Sequence, residues 1–219
     1  MTGRGVCALC AADGVARVLG GPAGFGSRTA AAQDAAPPLS IPENALETNK
    51  PFIAPARHWE SLDGKKIQCH LCFSECETEP GERGDCGVRE NRAGEYKTLI
   101  YGRIVSLNVD PIEKKPLNHF LPGTTALSLA AVGCNIHCQF CQNRQISQAK
   151  PEEVPAVRLS PDNLASIARD KKSESIAYTY SEPSVSFEFM HDTAAASRRS
   201  GIRNVMISNG HIQAKPLKE

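Results

Sequence analysis

Nine cysteines in 219 residues are many, and most of them are gathered into groups. Cys134, Cys138 and Cys141 stand in GCNIHCQFCQN (133–143) at spacings of four and three, with Phe140 directly before the last. Cys69, Cys72, Cys76 and Cys86 fall within eighteen positions, and Cys7 and Cys10 form a pair. Thiolates bind soft metals, namely zinc, copper(I) and iron–sulfur clusters. A secreted disulfide framework spreads its cysteines to staple distant segments, whereas tight local groups suit metal ligands in a reducing compartment.

The two larger groups call for different chemistry. Four thiols can close a tetrahedral zinc site or hold a second iron–sulfur cluster. A module that small cannot own a core, so the metal would supply its folding energy; His70 reads as a neighbour of that site. Three thiols cannot close a site. In a four-iron cluster they hold three irons and leave the fourth open, and an open position is what a catalytic metal centre needs. The bland alternatives are a zinc site with His137 as fourth ligand, or free buried thiols. His137 reads as a side chain beside the centre. Cys7 and Cys10 read as incidental.

The elements around these groups change character along the chain. Residues 1–56 are rich in Ala, Gly and Pro, with GGPAGFGS and AAAQDAAPPLS, and offer little apolar surface to bury. A degenerate export signal is a competing reading of that tail, but Asp13 and Arg17 interrupt it and no twin arginine precedes it. Residues 57–95 form a small module punctuated by Gly64, Pro80-Gly81, Gly84, Gly87 and Gly94. YKTLIYGRIVSLNVDP (96–111) carries strand-like runs. In the loop that follows, Lys114, Lys115 and His119 are candidates for substrate or partner contact, while a solvated loop with Phe120 buried is the plainer expectation.

From about residue 127 the pattern becomes strand, loop, helix. LSLAAVG (127–133) reads as a buried parallel strand that delivers the three-cysteine loop. SPDNLASIARDKK (160–172) starts a helix on Ser160 with Pro161 at the first position. SIAYTY (175–180) is the next strand, 182–201 a helix ending at Gly201, and RNVMISNG (203–210) a third strand. Alternating strands and helices imply an α/β fold with a parallel sheet. Ligands bind such sheets at the carboxyl ends of strands, where the cysteine loop falls.

Bulk properties exclude some functions. The net charge of +1 argues against a general nucleic-acid binder. No run approaches the ~20 apolar residues of a membrane span.

The spacing Cys134-x3-Cys138-x2-Cys141 with Phe140 resembles the signature of the radical S-adenosylmethionine (SAM) enzymes. The wider set CHLCFSECETEPGERGDCGVREN, YGRIVSLNVDPIEKKPLNHFLPG, GCNIHCQFCQNRQISQ, YTYSEPSV and ISNGHI is similar to the AmmeMemoRadiSam system enzymes, relatives of pyruvate formate-lyase activating enzymes. It runs from about 57 to 212. The resemblance implies a [4Fe–4S] cluster on Cys134, Cys138 and Cys141 whose open iron is chelated by SAM. One electron then cleaves SAM to methionine and a 5′-deoxyadenosyl radical, which abstracts hydrogen from a substrate. It further implies that Glu182, in place of the family's glycine-containing motif, accepts from the SAM amine, and that Ser208 and Asn209 lie near its methionyl or ribose part. A plain reading of Glu182 is a first-turn helix carboxylate, and of Ser208-Asn209 a strand-ending turn. The implied partners are a flavodoxin- or ferredoxin-like reductant and a substrate of unknown class, a protein among the candidates, with no nucleic acid and no membrane, in the cytoplasm.

The family fold has about six strand–helix units, and three are visible here. The expected architecture is therefore a partial (β/α) radical SAM barrel over 96–219, preceded by the cysteine-rich module, in a chain that reads as C-terminally truncated. A catalytically inactive fragment or a zinc-binding module is the alternative function. Electron transfer through two ordinary clusters is weakened by the missing fourth cysteine at 134–141.

Overall fold

The computed structural model describes Ile41 and residues 52–219. Cys7, Cys10, the possible export signal and nearly all of the Ala/Gly/Pro-rich tail lie outside the described residues. In chain order the strands are β1 (Ala54–Pro55), β2 (Trp59–Ser61), β3 (Ile67–Cys69), β4 (Glu77–Thr78), β5 (Arg89–Arg92), β6 (Glu95–Thr98), β7 (Arg103–Ile104), β8 (Ser106–Pro111) and β9 (Thr125–Ala130). After the cysteine loop come α1 (Arg144–Ser147), β10 (Val157–Arg158), α2 (Pro161–Asp170), β11 (Ser175–Tyr178), α3 (Phe187–Arg199), β12 (Arg203–Met206) and α4 (Ala214–Lys218).

The largest sheet has the order β12-β11-β9-β8. β9, β11 and β12 run parallel, with Leu127 opposite Ile176 and Ile176 opposite Asn204. β8 adds antiparallel to β9, a pairing the βαβ pattern alone does not announce. All four residues of β11 are buried: Ile176 and Tyr178 pack under residues of α2 and α3, while Ala177 on the other face packs with Ile112, Ala126, Leu117 and Phe120. β12 pairs with β11 alone and is half-exposed.

Local chemistry starts α2 and ends α3. Ser160 accepts a hydrogen bond from the Asn163 amide at 3.1 Å and caps α2. Leu164, Ile167 and Ala168 then pack with Leu127, Leu129, Ile176 and Phe189 in the main core. Fully burying each large aliphatic contributes about 1.5–3 kcal/mol. The helix expected over 182–201 opens differently: Pro183–Ser186 form a tight 3-10 turn, and α-helix begins at Phe187. Gly201, at φ +74°, ends it in a conformation that glycine adopts freely.

The segment before β7 consists of two small antiparallel sheets, β2-β3-β4 and β1-β6-β5. Ala54 and Pro55 pair with Thr98 and Lys97, so ordered structure includes the last residues assigned by composition to the tail. The segment is not coreless. Ile67, Leu71 and Tyr96 pack with Phe187, which α3 contributes.

Candidate functional site

The three-cysteine loop begins at Gly133, just past the carboxyl end of β9. Gly133 is at φ +100°, and a Cβ there would stand 2.6 Å from Val88 Cγ1 and 3.0 Å from the Cys86 carbonyl. Only glycine fits, because the loop is pressed against the four-cysteine segment. The Gly133 amide donates to the Ile146 carbonyl at 2.9 Å, which closes the loop on α1. The Asn143 side-chain amide donates to the Tyr180 carbonyl at 2.8 Å, and Ser181 Oγ donates to the Ala131 carbonyl at 2.6 Å. The loop is thus fastened to the ends of both β9 and β11.

Cys134, Cys138 and Cys141 are half-buried on this loop. Burial raises the Cys134 thiol, the Ile136 amide opposes the shift, and the Glu182 carboxylate with the other two thiols adds to the rise. Cys141 Sγ lies 3.2 Å from Ser147 Oγ. Phe140 is 91% exposed and points away from any core. His137 contacts Gln148 rather than a thiol.

The expected cofactor residues converge on the same end of the sheet. Glu182 is 4% exposed. Its Oε1 accepts from the Ser184 amide at 2.9 Å and Ser208 Oγ at 2.8 Å, and its Oε2 from the Asn209 amide at 2.8 Å. Asn209 Nδ2 reaches Asn135 Oδ1 at 3.0 Å and Cys134 Sγ at 3.9 Å. The Asn135 side chain in turn donates to the His211 carbonyl at 2.8 Å. Glu182, Ser208, Asn209 and Cys134 therefore form one connected polar network across β11 and β12.

Beneath it lies a cluster that the sequence does not announce. Asp110 accepts from Lys114 at 2.7 Å, Lys115 at 2.6 Å and Tyr180 Oη at 2.5 Å. Burial raises the Asp110 carboxyl, but these donors outweigh it and hold the group well below the usual carboxylate range. Tyr180 is pushed up to about 12 by burial and by its bond to Asp110. Lys115 is 3% exposed and stacks over the Tyr180 ring at 4.5 Å. The plain expectation of a solvated loop is corrected for Lys115, because an apolar residue count does not register an internal ion pair. It holds for Lys114 and His119, which are exposed. The Asp at 110 with lysines four and five positions on was the available signal.

In the preceding segment Cys69, Cys72, Cys76 and Cys86 line one small cavity. Burial raises Cys76 to about 11 and Cys86 to about 12. His70 faces Glu60, not the thiols. Among the described residues, no three His, Cys, Asp or Glu side chains converge closely enough to ligate a single ion. A cysteine-rich metal module is therefore not established by the geometry.

This placement of three thiols at the carboxyl end of a parallel strand invites comparison with known proteins. Residues 129–219 match the model of the Radical SAM superfamily. The match opens within β9, contains all three loop cysteines, Glu182, Ser208 and Asn209, and leaves the four-cysteine segment outside. The chain is also 47% identical over 163 residues to the uncharacterized protein MJ0808 of Methanocaldococcus jannaschii, an alignment covering 74% of this chain. The chain spans 49% of that relative's length. No solved structure matches. No helix among the described residues is long and apolar enough to cross a membrane.

The donor set fits the group that the superfamily implies. Three half-buried thiols share one loop and leave a coordination position for another ligand. A four-iron cube spreads its ligand sulfurs further apart than a single ion does, so thiols that do not converge on one point are compatible with it.

Proposed function

We propose that residues 96–219 are the N-terminal part of a radical SAM enzyme resembling the AmmeMemoRadiSam system proteins and the pyruvate formate-lyase activating enzymes. Cys134, Cys138 and Cys141 would hold a [4Fe–4S] cluster as thiolates, with SAM at the open iron. The chemistry such a centre supplies when bound is one-electron cleavage of SAM to a 5′-deoxyadenosyl radical for hydrogen abstraction. The observation that carries this reading is the hydrogen-bonded chain Cys134–Asn209–Glu182–Ser208, which joins the cysteine loop to the ends of β11 and β12.

The residues divide the work. Glu182 has all its observed bonds inside the protein, so its role is to position Ser208 and Asn209 rather than to meet SAM as its main partner. Oε1 already accepts two bonds, whereas Oε2 accepts one and keeps a lone pair, where an arriving ligand amine would be a charge-assisted donor. Asn209 is exposed beside Cys134 and is placed to touch a bound cofactor. Phe140, exposed at the loop tip, would shield the centre from water once a ligand covers it.

A flavodoxin- or ferredoxin-like protein would deliver the electron, and a reducing cytoplasm would keep the thiols free. A protein is one candidate substrate. The alternative, a zinc-binding module with no catalysis, is favoured by the four thiols that line one cavity in the preceding segment. Iron and sulfide analysis separates the two. Anaerobically reconstituted protein should carry four of each per chain at the loop, and Cys138→Ala should lose them. A Cys138→Ala variant with undiminished iron and sulfide would sink the proposal.

A further inference from the structure

Tyr180, just past the carboxyl end of β11, sits in a backbone conformation that its side chain disfavours. Its φ is +68°, in the left-handed region that bulky residues rarely enter. The Ser181 amide donates to the Thr179 carbonyl at 2.9 Å, so Tyr180 is the centre of a three-residue turn. At positive φ that turn is the rare, strained form. Such strain persists only where the surroundings over-determine it. A glycine would adopt the turn without cost, so what the tyrosine adds here is its side chain.

That side chain is gripped from β8 and from the turn after it. Tyr180 Oη donates to Asp110 Oδ2 and accepts from Lys115 Nζ and Asn108 Nδ2, each at 3.5 Å. The hydroxyl's one donor and both of its lone pairs are thereby used. Lys115 Nζ also stands 4.5 Å from the ring centre and bonds Asp110 at 2.6 Å, and both of these charged residues are buried. The backbone of Tyr180 meets the cysteine loop. Its carbonyl accepts from Asn143 Nδ2 at 2.8 Å. Asn143 also starts α1, its own carbonyl accepting from the Ser147 amide at 2.9 Å, and Ser147 Oγ lies 3.2 Å from Cys141 Sγ. One residue therefore joins the buried Asp110–Lys115 pair to the segment that carries Cys141.

We propose that Tyr180 is a positioning residue for the three-cysteine loop. Asp110 and Lys115 clamp its side chain, the clamp holds the strained turn, and the turn aims the Tyr180 carbonyl at Asn143, which fixes α1 and Cys141. The latch itself does not depend on what the loop binds. Its bearing on a cofactor centre rests on the reading of Cys134, Cys138 and Cys141 given above.

Alkylation of the reduced, metal-free full chain by iodoacetamide, read cysteine by cysteine by mass spectrometry, tests the latch. Cys141 reports on the loop. Cys69, buried in the neighbouring segment, is the reference, because a general loss of stability raises both rates alike. Tyr180→Phe keeps the ring and removes a hydrogen bond to a carboxylate. Cys141 should then react about tenfold faster relative to Cys69, the lower end of what a bond to a charged group is worth. Asp110→Asn should act in the same direction. Asn143→Ala should also loosen Cys141, and adding Asp110→Asn to it should change little more, since both act through Tyr180. No change at Cys141, equal rises at Cys141 and Cys69, or effects of Asp110→Asn and Asn143→Ala that multiply would overturn the latch. Reconstitution with iron and sulfide then tests its bearing on the centre. Tyr180→Phe should keep the iron content of the wild type and show a weaker spectral response to SAM, and an unaltered response would remove Tyr180 from the positioning of that centre. A wild type that takes up no iron would contradict the cofactor reading instead, and the alkylation rates would still decide the latch.

Discussion

At the scale of single residues, the buried carboxylates carry the most information. Glu182 answers three donors, and a Gln in its place would set an amide N–H₂ against one of them. Glu182→Gln should therefore cost about 1–3 kcal/mol in urea unfolding. It should also disturb Ser208 and Asn209, read as a weaker spectral response of the reduced centre to SAM. Wild-type stability in that variant would mean that the network is loose. Asp110 gives a pH signature. Its carboxyl is held low in the folded state, so its contribution is present above the unfolded value of about 4 and lost as pH falls below it. Asp110→Asn should be less stable than wild type at pH 7, and the gap should narrow steadily below about pH 4. A gap independent of pH would show that the Lys114, Lys115 and Tyr180 bonds do not favour the charged form. The grouping of Cys134, Cys138 and Cys141 on one loop was legible, because it is written in spacing alone. The Asp110–Lys115–Tyr180 cluster was not legible, since Asp110 and Tyr180 are seventy positions apart and meet only through the sheet.

At the scale of elements, the strand–loop–helix alternation was readable where the two longer helices carry their own punctuation. Ser160 and Pro161 start α2, and Gly201 ends α3, as the residue types require. The antiparallel β8 was not readable as a partner of β9, since alternation says how a strand is buried but not which neighbour it takes. The 3-10 turn at Pro183–Ser186 was missed for a local reason: the Glu182 side chain binds the Ser184 amide and tightens the first turn. Contact between the two cysteine segments was likewise invisible in the sequence, yet Gly133 records it. Gly133→Ala should lower stability by about 1–3 kcal/mol, from the clash with Val88 and the unfavourable φ together. Chemical denaturation would show it, and a neutral outcome would mean that the loop can lift off Cys86 freely. The ion pair of Arg89 with Glu188 joins β5 to α3 in a buried setting. Removing one partner of such a pair costs about 3–5 kcal/mol, so Glu188→Ala should be among the most destabilising single changes in the chain.

At the scale of the whole molecule, three parallel strands carry the candidate side chains to one end, and the four-cysteine segment braces that end from the side through Gly133, Phe187 and Glu188. The parallel sheet stops at β12, which is half-exposed and borders a cavity of about 580 Å³ lined by Phe120, Met206, Ile212 and Leu217 among others. The connected network from Cys134 to Ser208 ties the cysteine loop to the ends of β11 and β12. The most direct measurement is electron paramagnetic resonance of anaerobically reconstituted, dithionite-reduced protein, recorded with and without SAM. The expected result is a [4Fe–4S]⁺ spectrum whose shape changes when SAM is added, because the loop leaves one iron open to it. A spectrum indifferent to SAM, or no cluster signal at all, would contradict the assignment of Cys134, Cys138 and Cys141 as an open, cofactor-binding centre in this chain.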